Sequence, residues 1–126
     1  MMELPVVAAP QPAPPADISE AAARLLKLLA DPTRRRLFLK LTEGETCNCE
    51  LADGLGIAQN LVSHHIRQLR EAGFVRERRD ATDARWVYYT LNAEALSDAW
   101  QSLDASINPA RFGQRAPICP PPEGQP

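Results

Sequence analysis

The chain has 126 residues, of which 44% are hydrophobic and 6% aromatic, and its formal net charge is −2. This length and composition fit one domain with a single modest core. No apolar run reaches the roughly 18 residues that a membrane-spanning helix needs, so no membrane partner is expected. Residues 1–16 lack the basic and apolar regions of a secretory signal, and we therefore expect a cytoplasmic protein whose thiols stay reduced.

Prolines are concentrated at both ends of the chain. Because proline lacks an amide donor and fixes φ, such stretches favour extended conformations over packed structure. We therefore expect a disordered proline-rich tail over residues 1–16 and a folded domain over residues 17–110. Residues 111–126 are expected to form a second proline-rich tail, which carries Cys119.

Capping signals predict the first three helices of the folded part. Asp17 or Ser19 can cap the first helix, and Pro32 fits the first turn of the second. Thr46 is placed to cap a short third helix, which Gly56 closes.

A fourth helix is predicted from 59 to 72, and two short β-forming runs follow it, from 74 to 79 and from 85 to 91. The polar residues 80–83 join these runs as a hairpin. A final helix from 93 to about 107 carries an apolar stripe. The stripe consists of Leu96, Trp100, Leu103 and Ile107.

This order of elements predicts a fold that is mainly α with a small β-hairpin, the winged helix-turn-helix. The first and last helices have more apolar surface than a small core can cover. We therefore expect a homodimer formed through these two helices.

The segment from 51 to 69 has the form of a helix-turn-helix, in which a short helix braces a second one that enters the major groove of DNA. If Val62, Ile66 and Leu69 face the core, polar residues face outward. These are Gln59, Asn60, Ser63, His64 and Arg67. Gln and Asn can bond adenine bidentately, Arg can bond guanine, and Ser can reach a base or a phosphate.

A specific DNA-binding protein needs only a local basic face, so the net charge of −2 does not exclude it. Three arginines of the hairpin are expected to contact backbone phosphates: Arg78, Arg79 and Arg85. The alternative for each polar residue is a solvated helix face. The combination of reading helix and hairpin favours double-stranded operator DNA as the partner.

Three parts of the chain resemble the ArsR/SmtB family of metalloregulatory repressors: residues 29–37, residues 62–66 with 69–75, and residues 86–89. The similarity covers roughly residues 19–107. It implies a homodimer on a pseudo-palindromic operator near genes for metal or metalloid resistance. One departure is Ala58, which stands where the family usually places a serine that caps the recognition helix. Loss of that capping oxygen costs about 1 kcal/mol.

Cys47 and Cys49 lie at the start of the predicted third helix. Within a regular helix, residues two apart lie about 200° around the axis, but the backbone at a helix start can adjust so that both thiolates meet one ion. The helix dipole favours thiolates there. Soft thiolates select soft ions, which makes arsenite, antimonite, Cd(II) and Pb(II) the candidate ligands.

The Cys-x-Cys at this helix resembles the arsenic-responsive members of the family, many of which supply a third cysteine three positions after the second. That position is Ala52 here, so Cys119 is the only other sulfur donor. We expect Cys119 to complete the site from its own or the partner chain, although a free thiol is the alternative. A site of two thiolates would suit an organoarsenical, or As(III) with an external thiol.

Together these features predict a repressor of a metalloid or metal resistance operon. As(III), Sb(III) or an organoarsenical would release it from its operator by binding cysteine thiolates. The alternatives of the same fold are a repressor responsive to Cd(II) or Pb(II) and a sensor of thiol redox state or persulfide. An enzyme is disfavoured and no catalytic residues or cofactor are predicted, since no Cys-x-x-Cys lies within a βαβ pattern.

Overall fold

Five helices and three strands are found in residues 17–119, the part of the chain that this computed structural model describes. The tail predicted over residues 1–16 lies outside the described residues, as do residues 120–126. The elements are α1 (Glu20–Leu29), α2 (Pro32–Leu41), β1 (Thr46–Cys47), α3 (Asn48–Leu55), α4 (Gln59–Glu71), β2 (Val75–Arg79), β3 (Val87–Leu91) and α5 (Ala93–Ile107). A single 3₁₀ turn, Pro109–Arg111, follows α5.

Local signals in the sequence start and end these helices. Ser19 caps α1 by accepting a hydrogen bond from the backbone N–H of Ala22 at 3.1 Å. Pro32 occupies the first turn of α2, as predicted. Gly56 ends α3 at φ +67°, a left-handed conformation that glycine adopts without steric cost.

The start of α3 differs from its sequence-based prediction. Thr46 lies in β1 and does not cap the helix; the N-cap residue is Cys47, whose side chain makes no capping hydrogen bond. Because β1 pairs antiparallel with β3, the wing is a three-stranded sheet in the order β1-β3-β2, so a third strand joins the predicted hairpin. A strand of two residues is too short to show a period in the sequence.

The larger of two apolar clusters packs α2, α3 and α4 against the sheet. Its buried members are Leu37, Leu41, Leu51, Ala52, Val62, Ile66, Leu69 and Val75. The predicted inward stripe of α4 is therefore confirmed. A smaller cluster joins α1 to α5 through Ala22, Leu25, Phe74 and Ala99.

The outer face of α5 is largely uncovered. Trp100 is 65% exposed and Ile107 is 58% exposed, although both belong to the predicted apolar stripe. None of the helices in residues 17–119 has the length and apolarity required to cross a bilayer.

Candidate DNA interface and thiol site

The polar face of α4 points away from the core. Gln59, Asn60, His64 and Arg67 are exposed and Ser63 is half-buried. Since α4 packs into the core through its opposite side, together with α3, this face lies at the surface. The arrangement is that of a reading helix braced by a shorter helix.

Leu61 also lies on the outward side of α4, where it is 39% exposed. The sequence-based selection missed it because only polar residues were selected. Its position outside the stripe of Val62, Ile66 and Leu69 indicates in the sequence that it faces outward. An exposed aliphatic side chain on a reading helix can contact the methyl group of thymine.

The adjacent histidines of α4 have different environments. His64 is exposed, whereas His65 is buried and its ring meets that of His64 edge-on with centroids 5.2 Å apart. Burial lowers the pKa of His65. In the part of the chain that the structure describes, Nδ1 of His65 has no hydrogen-bond partner.

Each arginine of the wing bonds to the protein itself. Arg78 donates from Nε and Nη2 to the carboxylate of Glu45 at 3.0 and 2.7 Å, and these bonds lower the pKa of Glu45. Arg85 holds Asp83 in the same bidentate manner. Arg79 donates to the backbone carbonyl of residue 84 at 2.8 Å. Exposed ion pairs contribute only about 0.2–1 kcal/mol, so a DNA phosphate can replace these partners at small cost.

The three thiols are free and occupy different environments. Cys47 is buried, and its Sγ donates to Oε1 of Glu50 at 3.7 Å. Cys49 is exposed in the first turn of α3, and Cys119 is exposed at the end of the described chain. Within residues 17–119, no three side chains of His, Cys, Asp or Glu are grouped so as to hold a metal ion. The structure thus does not group Cys119 with the other two cysteines.

Cys47 and Cys49 line one open cavity of about 530 Å³, which we call the thiol cavity. Its other walls are Asn48 of α3, Gln59 and Ser63 of α4, and residues 85–87 and 89 of the wing. The cavity therefore adjoins both elements that carry the candidate DNA contacts.

Asn48, the residue between the two cysteines, connects them to the reading helix. Its Nδ2 donates to the backbone carbonyl of Gln59 at 3.3 Å. The hydroxyl of Ser63 donates to its Oδ1 at 3.4 Å. Because Ala58 at the N-cap makes no side-chain hydrogen bond, Asn48 supplies polar contacts at this end of α4. These two hydrogen bonds join the segment that carries the thiols to α4.

A braced helix with a polar outer face, followed by an arginine-bearing wing, defines a winged helix-turn-helix DNA-binding protein. A family model for the bacterial regulatory proteins of the arsR family matches residues 31–77. The chain is 46% identical over 105 residues to the arsenic resistance transcriptional regulator ArsR1 of Pseudomonas putida, an alignment that covers 72% of this chain and 79% of that regulator.

Two further comparisons agree. Identity to the arsenical resistance operon repressor of Escherichia coli is 36% over 86 residues, covering 62% of this chain and 71% of that repressor. A solved structure of a possible transcriptional regulator for arsenical resistance is 38% identical and superposes with a TM-score of 0.55, covering 64% of this chain and 80% of that one. The chain belongs to the ArsR family and is a DNA-binding transcriptional repressor, not an enzyme, as its sequence predicts.

Proposed function

We propose that this repressor controls a metalloid-resistance operon and leaves its operator when As(III), Sb(III) or an organoarsenical binds the thiolates of Cys47 and Cys49. Cys119, from the same or the partner chain, would supply a third sulfur to an inorganic ion. The relatives in Pseudomonas putida and Escherichia coli are named for arsenic and arsenical resistance, which supports a metalloid as the inducer. A cytoplasmic location, where thiols stay reduced, is part of the proposal.

The outer face of α4 would read the operator in the major groove. The proposed base-contacting residues are Gln59, Asn60, Ser63, His64 and Arg67. The proposed phosphate-contacting residues are Arg78, Arg79 and Arg85 of the wing. Their exposure on adjacent elements supports this assignment, and phosphate contacts would make the affinity fall with rising salt.

A homodimer formed through α1 and α5 would place two reading helices on one operator. The exposed side chains of Trp100 and Ile107 support this interface. Two such helices must lie about 34 Å apart to enter successive major grooves. A small rotation of α3, which packs against α4, would therefore weaken binding to both half-sites.

The observation that carries the proposal is the pair of hydrogen bonds between Asn48 and α4, one donated by Asn48 and one accepted by it. Drawing Cys47 and Cys49 around one ion changes the backbone on both sides of Asn48. The contacts to Gln59 and Ser63 then shift the end of α4 that enters the groove. A tenfold loss of operator affinity needs only about 1.4 kcal/mol of such coupling.

The test is operator binding with and without arsenite, on a duplex that the protein itself selects from random DNA. Cys47→Ser and Cys49→Ser should bind the operator normally and fail to release it. Cys119→Ser, the matched control, should keep its response to organoarsenicals and lose affinity for arsenite only. Normal release by both Cys47→Ser and Cys49→Ser would disprove the assignment.

The same assay separates the alternative inducers. Cd(II), Pb(II) and Sb(III) are compared with arsenite at equal concentration under anaerobic conditions. A thiolate–metal bond gives ultraviolet charge-transfer absorption without oxidation, whereas a redox or persulfide sensor would respond only to an oxidant or a sulfur donor.

A further inference from the structure

We infer that the thiol cavity takes a monosubstituted trivalent arsenical, R–As(OH)₂, whose organic substituent R lies against Trp86 and Tyr89. This inference rests on the proposed role of Cys47 and Cys49 as arsenic ligands. It adds the chemical nature of the ligand and the aromatic side chains that would contact its substituent.

The number of sulfur atoms at the cavity favours such a ligand. Among the described residues, Cys47 and Cys49 are the only cysteines that line the cavity, and Cys119 is not grouped with them. Inorganic As(III) has three exchangeable positions, whereas R–As(OH)₂ has two because the third valence is a carbon bond. Two thiols therefore satisfy the organic arsenical completely.

The volume of the cavity points the same way. A cavity of about 530 Å³ falls within the range of roughly 300–1,000 Å³ that is typical of small-molecule sites. A single arsenic atom held by two sulfurs would fill only a small part of it, since even a water molecule takes about 30 Å³. The remaining space is large enough for a phenyl ring.

The wing supplies an apolar wall for that space. Trp86 lines the cavity and is 47% exposed. It belongs to neither of the two apolar clusters in the described residues. Tyr89 is half-buried beside it on β3. Aromatic rings stack favourably on such side chains, in addition to the effect of burying apolar area.

The reaction needs no oxidant or reductant. Two As–O bonds break and two As–S bonds form, and each thiol proton leaves with one hydroxyl group as water, so arsenic stays trivalent. Glu50, which accepts a hydrogen bond from Cys47, is placed to take that proton on its way to the hydroxyl. The bound substituent then lies beside Gln59 and Arg85, between the reading helix and the wing.

Operator release is measured on the full chain carrying Cys119→Ser, in which Cys47 and Cys49 are the only thiols. The fluorescence titration alone adds Trp100→Phe, which leaves Trp86 as the only tryptophan. Phenylarsenite, methylarsenite and arsenite are titrated anaerobically, with Trp86 fluorescence and operator release as readouts. Phenylarsenite should perturb the emission most and should release the operator at a concentration about tenfold lower than arsenite does.

Adding Trp86→Ala should raise the phenylarsenite concentration needed for operator release about fivefold. The concentration of methylarsenite needed should change by no more than about twofold. Phe112→Ala removes another exposed aromatic side chain, which does not line the cavity. It should leave the concentrations of both ligands needed for operator release unchanged. If Trp86→Ala weakens all three ligands equally, or if phenylarsenite binds no more tightly than methylarsenite, the inference is overturned while the arsenic site stands. If none of the three releases the operator, the proposed function fails as well.

Discussion

Two regions of this molecule differ in how completely one chain fills their cores. The reading unit, comprising α2, α3, α4 and the sheet, buries large side chains such as Leu37 and Ile66 almost fully. The α1–α5 cluster buries Phe74 as well as Ala22 and Ala99, but the outer face of α5 leaves Trp100 largely exposed. The core of the reading unit is therefore filled by one chain, whereas the exposed apolar side chains of α5 are the basis of the proposal that a second copy covers this α1–α5 face.

The largest expected effect comes from truncating a buried side chain in the core of the reading unit. Ile66 is 1% exposed, so Ile66→Ala leaves a cavity and should lower the free energy of unfolding by about 2–5 kcal/mol. Urea denaturation measures this loss, which should hardly depend on protein concentration.

Ile107 provides a matched control for that substitution. It is 58% exposed in the single chain, so Ile107→Ala should leave the stability of the isolated fold nearly unchanged. Its cost should appear only as a weaker concentration dependence of unfolding. Equal and concentration-independent losses in both variants would contradict the distinction between the two regions.

Trp100 tests the α1–α5 face directly. Trp100→Ala should raise the dissociation constant of the dimer at least tenfold, about 1.4 kcal/mol, because a large aromatic is the kind of residue that dominates interface energies. Sedimentation equilibrium measures this constant. Trp86→Ala, which removes the exposed tryptophan of the wing, should leave it unchanged. A dimer that survives Trp100→Ala intact would place the interface elsewhere.

The same contrast explains what sequence reasoning could reach. The stripe of Val62, Ile66 and Leu69 repeats at helical spacing over a long helix, and its burial was predicted correctly. The cap at Ser19 and the place of Pro32 in the first turn of α2 depend on local chemistry and were also predictable. Both kinds of signal depend on neighbours close in the chain.

Contacts between distant segments could not be read from the sequence in this way. The pairing of Thr46 in β1 with Tyr89 in β3 joins residues far apart in the chain, and a two-residue strand shows no period. The bonds from Asn48 to α4 and the shared cavity with Trp86 likewise depend on tertiary packing. The candidate DNA face could be predicted from the helical spacing of apolar residues. The hydrogen bonds that connect the thiol segment to that face could be found only in the structure.

Asn48 tests whether the switch operates wholly inside the reading unit. Asn48→Ala removes two hydrogen bonds to α4 and should reduce the coupling between arsenite and operator by about 1 kcal/mol, or roughly fivefold. The affinity of the free protein for arsenite should change little. Operator affinity measured with and without arsenite gives the coupling.

Asn60 is the control for this variant, because it is exposed on the outer face of α4 and does not line the thiol cavity. Asn60→Ala should weaken operator binding while leaving the ratio of affinities with and without arsenite unchanged. Should Asn48→Ala retain the full ratio, the signal must pass through another contact.

The smallest effect is expected at His65, which lies where the two regions meet. Arg34 donates to the carbonyl of Leu28 in α1 at 3.0 Å and bonds Gln68 beside His65 in α4. Burial lowers the pKa of His65 below its ordinary value of about 6.5, so the unfolded chain binds this proton more readily than the folded one. Stability is therefore fully present above about pH 6.5 and falls as the pH drops through the lower folded-state value.

Unfolding free energies measured from pH 7.5 down to 5 detect this dependence. His65→Gln removes the titrating group, so its stability should change less steeply over that range than the stability of the wild type. His64→Gln removes the exposed neighbour and should keep the wild-type slope. An unchanged slope in His65→Gln would mean that a group other than His65 takes up the proton. The junction between the reading unit and the α1–α5 face would then be insensitive to acid.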